Sequence, residues 1–176
     1  MSNQDRFRFC PHCGKQGITL HPDHALRCDG CGFVLFINVA TAVGALITDE
    51  RGRMLLLRRG HEPAKGKLGA PGGFVSPGEG AEEALVREVK EETNLEVTSV
   101  RYLCSFANRY PYKEILYTTV DLYYVCGVRS LASLQALDEV ESCVLLEPAE
   151  IRQEEIAFDS LREALRQYTR SGAAQR

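Results

Sequence analysis

At 176 residues, 44% hydrophobic and with a formal charge of −3, the chain can bury one ordinary core plus a small metal-stapled module, and it lacks the basic balance of a general nucleic-acid binder. No apolar run approaches a membrane span, and the opening MSNQDRFRF has no apolar signal-peptide segment, so the expected location is cytoplasmic, without membrane insertion. Seven cysteines then belong to a reducing compartment rather than a secreted disulfide scaffold.

In chain order, the first signal is Cys10-Pro11-His12-Cys13 followed by Cys28-Asp29-Gly30-Cys31. Each CxxC bends the chain so that two sulfurs meet one ion, and four thiolates close a tetrahedral Zn²⁺ shell with no open position, which makes the metal structural. Two disulfides are the competing reading, and the missing secretory segment argues against them. His12, His21 and His24 stand nearby, but four cysteines already complete the shell. A zinc ribbon over 1–36 and a second domain over 37–172 follow. Cys104, Cys126 and Cys143 lie in apolar runs and read as small buried thiols.

Segments 38–48 (NVATAVGALIT) and 53–58 (RMLLLR) read as strands joined into a hairpin by the turn Asp49-Glu50-Arg51-Gly52. Pro71-Gly72-Gly73 permits close backbone approach to a ligand, and Ser76-Pro77-Gly78 turns the chain. A helix starts after Gly80, with Glu82 and Glu83 suiting its positive end, buries Ala84, Leu85 and Val89, and ends at Asn94 in the left-handed conformation. Strands are expected over 95–106 and 114–128. In the second, Leu116, Thr118, Val120, Leu122, Tyr124, Cys126 and Val128 share one face, and Tyr117, Thr119 and Asp121 the other. A short strand at 143–146, a helical turn at 148–151, a helix over 158–168 and a frayed tail over 171–176 complete the chain. The order describes an α/β layered domain, a mixed sheet with helices on both faces.

On the first helix, Glu88, Glu91 and Glu92 share a face, and Arg87 reaches Glu91 across one turn. Adjacent carboxylates raise one another's pKa unless a cation neutralises them, and oxygen-only ligands suit Mg²⁺, with Mn²⁺ as substitute. An isolated ExxEE would more often be a solvated acidic face. Here it lies within Gly73, Glu79, Arg87, Glu88, Val89, Glu91, Glu92 and Leu95, spaced as in the Nudix box, with Asn94 where that box has glycine.

The chain therefore resembles a Nudix hydrolase, and the resemblance implies a Nudix α/β/α sandwich. It also implies metal-dependent hydrolysis of the pyrophosphate in a nucleoside diphosphate linked to another moiety. By the same resemblance, Glu88, Glu91, Glu92 and the Gly72 carbonyl would hold the cation, Arg87 would orient the glutamates, and Glu79 would support the loop or a further ion. Family members place the general base in the box or on a later loop, so Glu88 and Glu141 are both candidates, with Glu139 beside the latter.

A ribbon followed by this box is similar to NADH pyrophosphatases and to FAD or ADP-ribose pyrophosphatase-like proteins. The SQPWPFPxS signature of the NADH pyrophosphatases is absent; Ser105-Phe106-Ala107-Asn108-Arg109-Tyr110-Pro111-Tyr112 stands in its place and reads as a loop. Arg109 is a candidate for phosphate, and Tyr110 and Tyr112 for stacking on a base or flavin. The expected partner is a small nucleotide, not nucleic acid, and the expected assembly a homodimer. Removal of a cap-type nucleotide from RNA and a non-catalytic ligand sensor are the alternatives; a sensor would be expected to have lost the glutamates.

Overall fold

The computed structural model describes residues 7–172. Residues 1–6, at the start of the expected ribbon, and 173–176 of the expected frayed tail lie outside the described residues. Three short strands, β1 (Ile18–Leu20), β2 (Ala25–Cys28) and β3 (Val34–Phe36), form an antiparallel sheet of their own in the order β1-β2-β3. Leu26 and Ala25 are buried, but so small a sheet holds little apolar material, which is why a metal staple suits it.

The remainder is layered. Strands β4 (Ala40–Ile47), β7 (Val97–Tyr112) and β8 (Ile115–Val128) form a mixed sheet in the order β4-β8-β7, with β4 parallel to β8 and β7 antiparallel to it. A second sheet, wholly antiparallel, sets β6 (Leu68–Gly69), β5 (Met54–Arg59) and β9 (Val140–Leu146) in the order β6-β5-β9. Helix α1 (Ala81–Thr93) buries Ala84, Leu85 and Val89 against Val43, Ala45, Ile47, Leu55 and Leu57. Helix α2 (Asp159–Arg170) buries Leu161, Ala164, Leu165 and Tyr168 with Leu46, Met54, Leu56 and Tyr123 in a separate core. This is the expected α/β/α arrangement, with one helix serving each core. No helix among the described residues is long and apolar enough to cross a membrane.

Three elements differ from the sequence expectation. The turn after β4 forms, with Asp49 accepting from the Arg51 and Arg53 backbone N–H groups, but β4 and β5 do not pair as a hairpin. A lone bridge, Thr48 to Met54, joins them before they part into different sheets. Their runs Ala45-Leu46-Ile47 and Leu55-Leu56-Leu57 are buried on both faces, so each strand is covered on both sides within its own sheet, a demand that local turn chemistry cannot express.

The second difference is β7, which continues through 107–112, so Arg109, Tyr110, Pro111 and Tyr112 lie on a strand and not a loop. Pro111 is tolerated because β7 is an edge strand, and the chain reverses only at Lys113, in the left-handed region at φ 53°. The third is β9, which starts at Val140 rather than Cys143 because Val140 packs into the α1-side core. Glu141 is thereby in a strand.

Thr119 and Asp121, on the polar face of β8, are buried as well. Thr119 donates to Asp121 at 2.5 Å, Ser160 of α2 donates to the other Asp121 oxygen at 2.6 Å, and Tyr123 meets Ser160 at 3.0 Å. Covered by α2, this face needed polar groups that satisfy one another.

Candidate active site

Residues 71–75 run antiparallel to β4. Ala45 donates to the Pro71 carbonyl, Val43 to that of Gly73, and Val75 to that of Thr41. This register leaves the Gly72 N–H free of the sheet, and it donates instead to Glu92 Oε2 at 2.8 Å. Gly72 has φ 145°, and a Cβ there would meet the Val43 carbonyl oxygen at 2.0 Å, so only glycine fits. A Cβ on Gly73 would lie 2.6 Å from the Glu88 carboxyl. The loop thus passes within contact of both glutamates.

Helix α1 presents those glutamates. Gly80 is its N-cap, with the Gly80 N–H bonded to Glu83 Oε2 at 2.7 Å, and Asn94 ends it at φ 58°. Arg87 ties the acidic groups together. Its guanidinium donates to Glu79 Oε1 at 2.6 Å and Oε2 at 3.1 Å, to Glu88 Oε1 at 2.8 Å, to Glu91 Oε2 at 3.0 Å and to the Phe74 carbonyl at 3.2 Å. The bonds from Arg87 push the Glu79 carboxyl down to about 2, and those from Glu79 and Glu88 raise Arg87.

Glu88 and Glu92 carry no comparable relief. Burial raises Glu88 despite the pull of Arg87, and burial together with the Glu88 charge pushes Glu92 up to about 8 even though Gly72 donates to it. Two partly buried carboxyls with an oxygen-only donor set, next to a backbone that admits no side chain, suit a hard divalent cation. Glu91 is half exposed and bound to Arg87. Among the described residues, the three glutamates do not bring their oxygens within 4.8 Å of one another as the four cysteines bring their sulfurs.

The base candidates separate. Glu141 is exposed at a bulge of β9 opposite Arg58 and Arg59, and its carboxylate forms no hydrogen bond or ion pair with a described residue. Glu139 Oε2 lies 2.7 Å from His61 Nε2, which is 3.2 Å from Arg59 Nη2. The Glu139 carbonyl accepts from the Gly60 N–H, and the charge of Arg59 acts on Glu92. Arg59 and His61 were not singled out from sequence, although Arg58-Arg59-Gly60-His61, cations at a strand end beside a glycine, carries the signal.

An aromatic row crosses the α2 side of the sheet. Tyr110 stands edge-on to Phe74 at 5.4 Å, faces Tyr112 at 6.5 Å, and lies 5.5 Å from Phe158, whose ring is covered by the Arg59 guanidinium at 5.1 Å. Tyr110 therefore touches the residue after the glycine loop, whereas Tyr112 sits further out under Lys113. Arg109 is exposed and lines a separate cleft beyond Phe158.

The four cysteines converge. Cys10 Sγ lies 3.8 Å from Cys31 Sγ, Cys13 Sγ lies 3.7 Å from Cys28 Sγ, and all four sulfurs fall within 4.8 Å. These separations exceed any disulfide bond, and they equal the edges of about 3.8 Å of a tetrahedron with metal–sulfur bonds of about 2.3 Å. The donor set fits zinc.

Residues 39–168 match the family described as the NUDIX domain. A protein of Pseudomonas entomophila named NAD-capped RNA hydrolase NudC is 36% identical over 109 residues, covering 62% of this chain and 39% of that protein. One of the same name from Chromobacterium violaceum is 36% identical over 109 residues, covering 62% of this chain and 40% of that protein. The chain thus spans about two fifths of the length of these relatives. A NUDIX hydrolase crystal structure from Nitrosomonas europaea superposes with a TM-score of 0.75 at 23% identity, covering 93% of this chain and 91% of the other. The NUDIX domain of Shewanella oneidensis NrtR, in a cocrystal with ADP ribose, superposes with a TM-score of 0.64 at 23% identity, covering 77% and 90%. At these identities the structural likenesses establish the fold.

Proposed function

The chain belongs to the Nudix family, and we propose that it hydrolyses the pyrophosphate bond of a nucleoside diphosphate linked to another moiety, a dinucleotide such as NADH or FAD, or ADP-ribose. The observation that carries this reading is the pairing of Glu92 with the Gly72 N–H and of Glu88 with Gly73, which sets two partly buried carboxyls against one glycine loop. Glu88, Glu91, Glu92 and the Gly72 carbonyl would hold Mg²⁺ or Mn²⁺, and Arg87 orients the glutamates. A bound divalent cation neutralises charge on the pyrophosphate oxygens and lowers the pKa of the attacking water.

Glu88 is the preferred proton acceptor for that water, since it stands at the loop, while Glu141 is on a strand and forms no hydrogen bond or ion pair with a described residue. Tyr110 supplies a flat surface beside Phe74 for a substrate ring, with Arg109 and Tyr112 further out along β7. Zinc at Cys10, Cys13, Cys28 and Cys31 holds the ribbon of 1–36, and the chemistry belongs to 37–172.

A second reading, removal of a nucleotide cap from RNA, is favoured by the name of the Pseudomonas and Chromobacterium relatives. One panel tests both. Product formation with Mg²⁺ is measured for NADH, FAD, ADP-ribose, an NAD-capped oligoribonucleotide and nucleoside triphosphates. The proposal expects a free dinucleotide or ADP-ribose to have the highest kcat/KM. Preference for the capped oligomer would establish the second reading, and preference for triphosphates would overturn both.

A further inference from the structure

Between the outer part of β7, the 61–66 turn and the start of α2 lies a cleft of about 520 Å³, within the range of small-molecule pockets. Asn108 lines it and is 7% exposed. Its side-chain amide bonds to no described residue. The polar groups around it are committed elsewhere: Thr119, its cross-strand partner, donates to Asp121, and Asp121 also accepts from Ser160. Facing the cleft without a protein partner, the amide leaves both its donor and its acceptor to solvent and so offers them to a ligand.

The rest of the lining narrows the ligand. Phe158 provides a flat wall, continuous through Tyr110 with Phe74 at the glycine loop, and Pro63, Ala64 and Ala157 are small and apolar. Arg162 is already used, donating to the carbonyls of Gln153 and Ile156 and to Asp159. Arg109 is exposed at the cleft and makes no ion pair with a described residue. A phosphate alone would leave the aromatic and apolar walls without a purpose. A flat ring carrying a donor beside an acceptor would answer both faces of the amide.

We propose that this cleft receives a heteroaromatic ring of the substrate, read by the Asn108 amide through an adjacent donor and acceptor, with Arg109 toward the phosphate attached to that ring. This rests on the reading of the chain as a nucleotide pyrophosphohydrolase. Asn pairs with the amino-plus-ring-nitrogen edge of adenine in this bidentate way, and the carboxamide of a nicotinamide ring offers the same chemistry.

Direct binding to the full, zinc-loaded chain tests it without requiring turnover. Dissociation constants are measured by calorimetry for AMP, nicotinamide mononucleotide and ribose 5-phosphate, with wild type, Asn108→Leu and Asn108→Asp. One of the two ring-bearing nucleotides should bind at least tenfold tighter than ribose 5-phosphate, and whichever does so identifies the ring. Both variants should bring that ratio within twofold, and Asn108→Asp, which keeps the shape, carries the test if Asn108→Leu does not fold. Equal binding of all three ligands by wild type, or an unchanged ratio in a folded variant, overturns the proposal. Selective binding in a protein that cleaves no dinucleotide would sink the enzymatic reading and leave the ring site standing.

Discussion

Two adjacent glycines should respond to alanine in opposite ways. At Gly73 the three nearest atoms to a new Cβ are the Glu88 carboxyl atoms, 2.6–2.7 Å away, the far end of a flexible side chain. To reach an ordinary contact of about 3.4 Å, the carboxyl must withdraw by roughly 0.8 Å, which the far end of a side chain can do at little cost to folding. A displacement of about 1 Å at a reacting centre costs on the order of 10²-fold in rate, or ~3 kcal/mol of transition-state stabilisation. Gly73→Ala should therefore lose roughly that much kcat with a melting temperature within about 2 °C of wild type. At Gly72 the same methyl meets the Val43 backbone oxygen at 2.0 Å, at φ 145°, and neither the oxygen nor the backbone can withdraw without disturbing β4. Gly72→Ala should unfold or lose more than about 2 kcal/mol of stability. Calorimetric melting and steady-state rates on ADP-ribose with saturating Mg²⁺ separate the two effects. A folded Gly73→Ala protein with kcat within threefold of wild type would refute the placement of Glu88 at the reacting centre.

Other consequences follow from separate parts of the fold. Cys28→Ser should lower bound zinc from about one per chain to a small fraction, because the remaining three sulfurs no longer close the shell, and elemental analysis of protein purified without chelator checks it. Asn94→Ala forces a side chain without Asn's local hydrogen bonds into φ 58° and removes the acceptor that Lys90 Nζ meets at 2.6 Å, so it should cost about 1–2 kcal/mol, whereas Asn94→Gly should stay within several tenths, as read by denaturant unfolding. Tyr110→Ala should raise KM about tenfold with little change in kcat if the ring stacks on substrate, and an unchanged KM would remove it from the site.

What could be read from the sequence divides by the range of the interaction that carries it. Helix α1 was legible because its determinants lie within one or two turns: Glu82 and Glu83 at the start, Leu85 and Val89 inward, Asn94 at the end. The two CxxC knuckles were equally local, and the structure brings their sulfurs to one point. The pairing of β4 was not legible, since Asp49 makes a good turn whether or not the flanking strands share a sheet, and the choice was made by β8, about 80 residues away. Pro111 reads as a break, which places Tyr110 and Tyr112 on a loop in the sequence alone, yet an edge strand admits it. Arg59, Phe158 and Asn108 come from three distant stretches and meet only through the sheet and α2. The burial of Thr119 and Asp121 was not legible either, because nothing in β8 itself announces Ser160.

The central claim is that the α1 carboxylates hold the divalent cation of a pyrophosphohydrolase, and Glu92→Gln tests it most directly. The substitution keeps volume and an acceptor for the Gly72 N–H but removes the charge. The measurement is the single-turnover rate of ADP-ribose or NADH hydrolysis as Mg²⁺ is titrated, for wild type and the variant. The account predicts a wild-type rate that rises to saturation and is abolished by chelator, with the folded variant at least about 10²-fold slower at every Mg²⁺ concentration. A variant that reached near wild-type rates with the same Mg²⁺ dependence would contradict it.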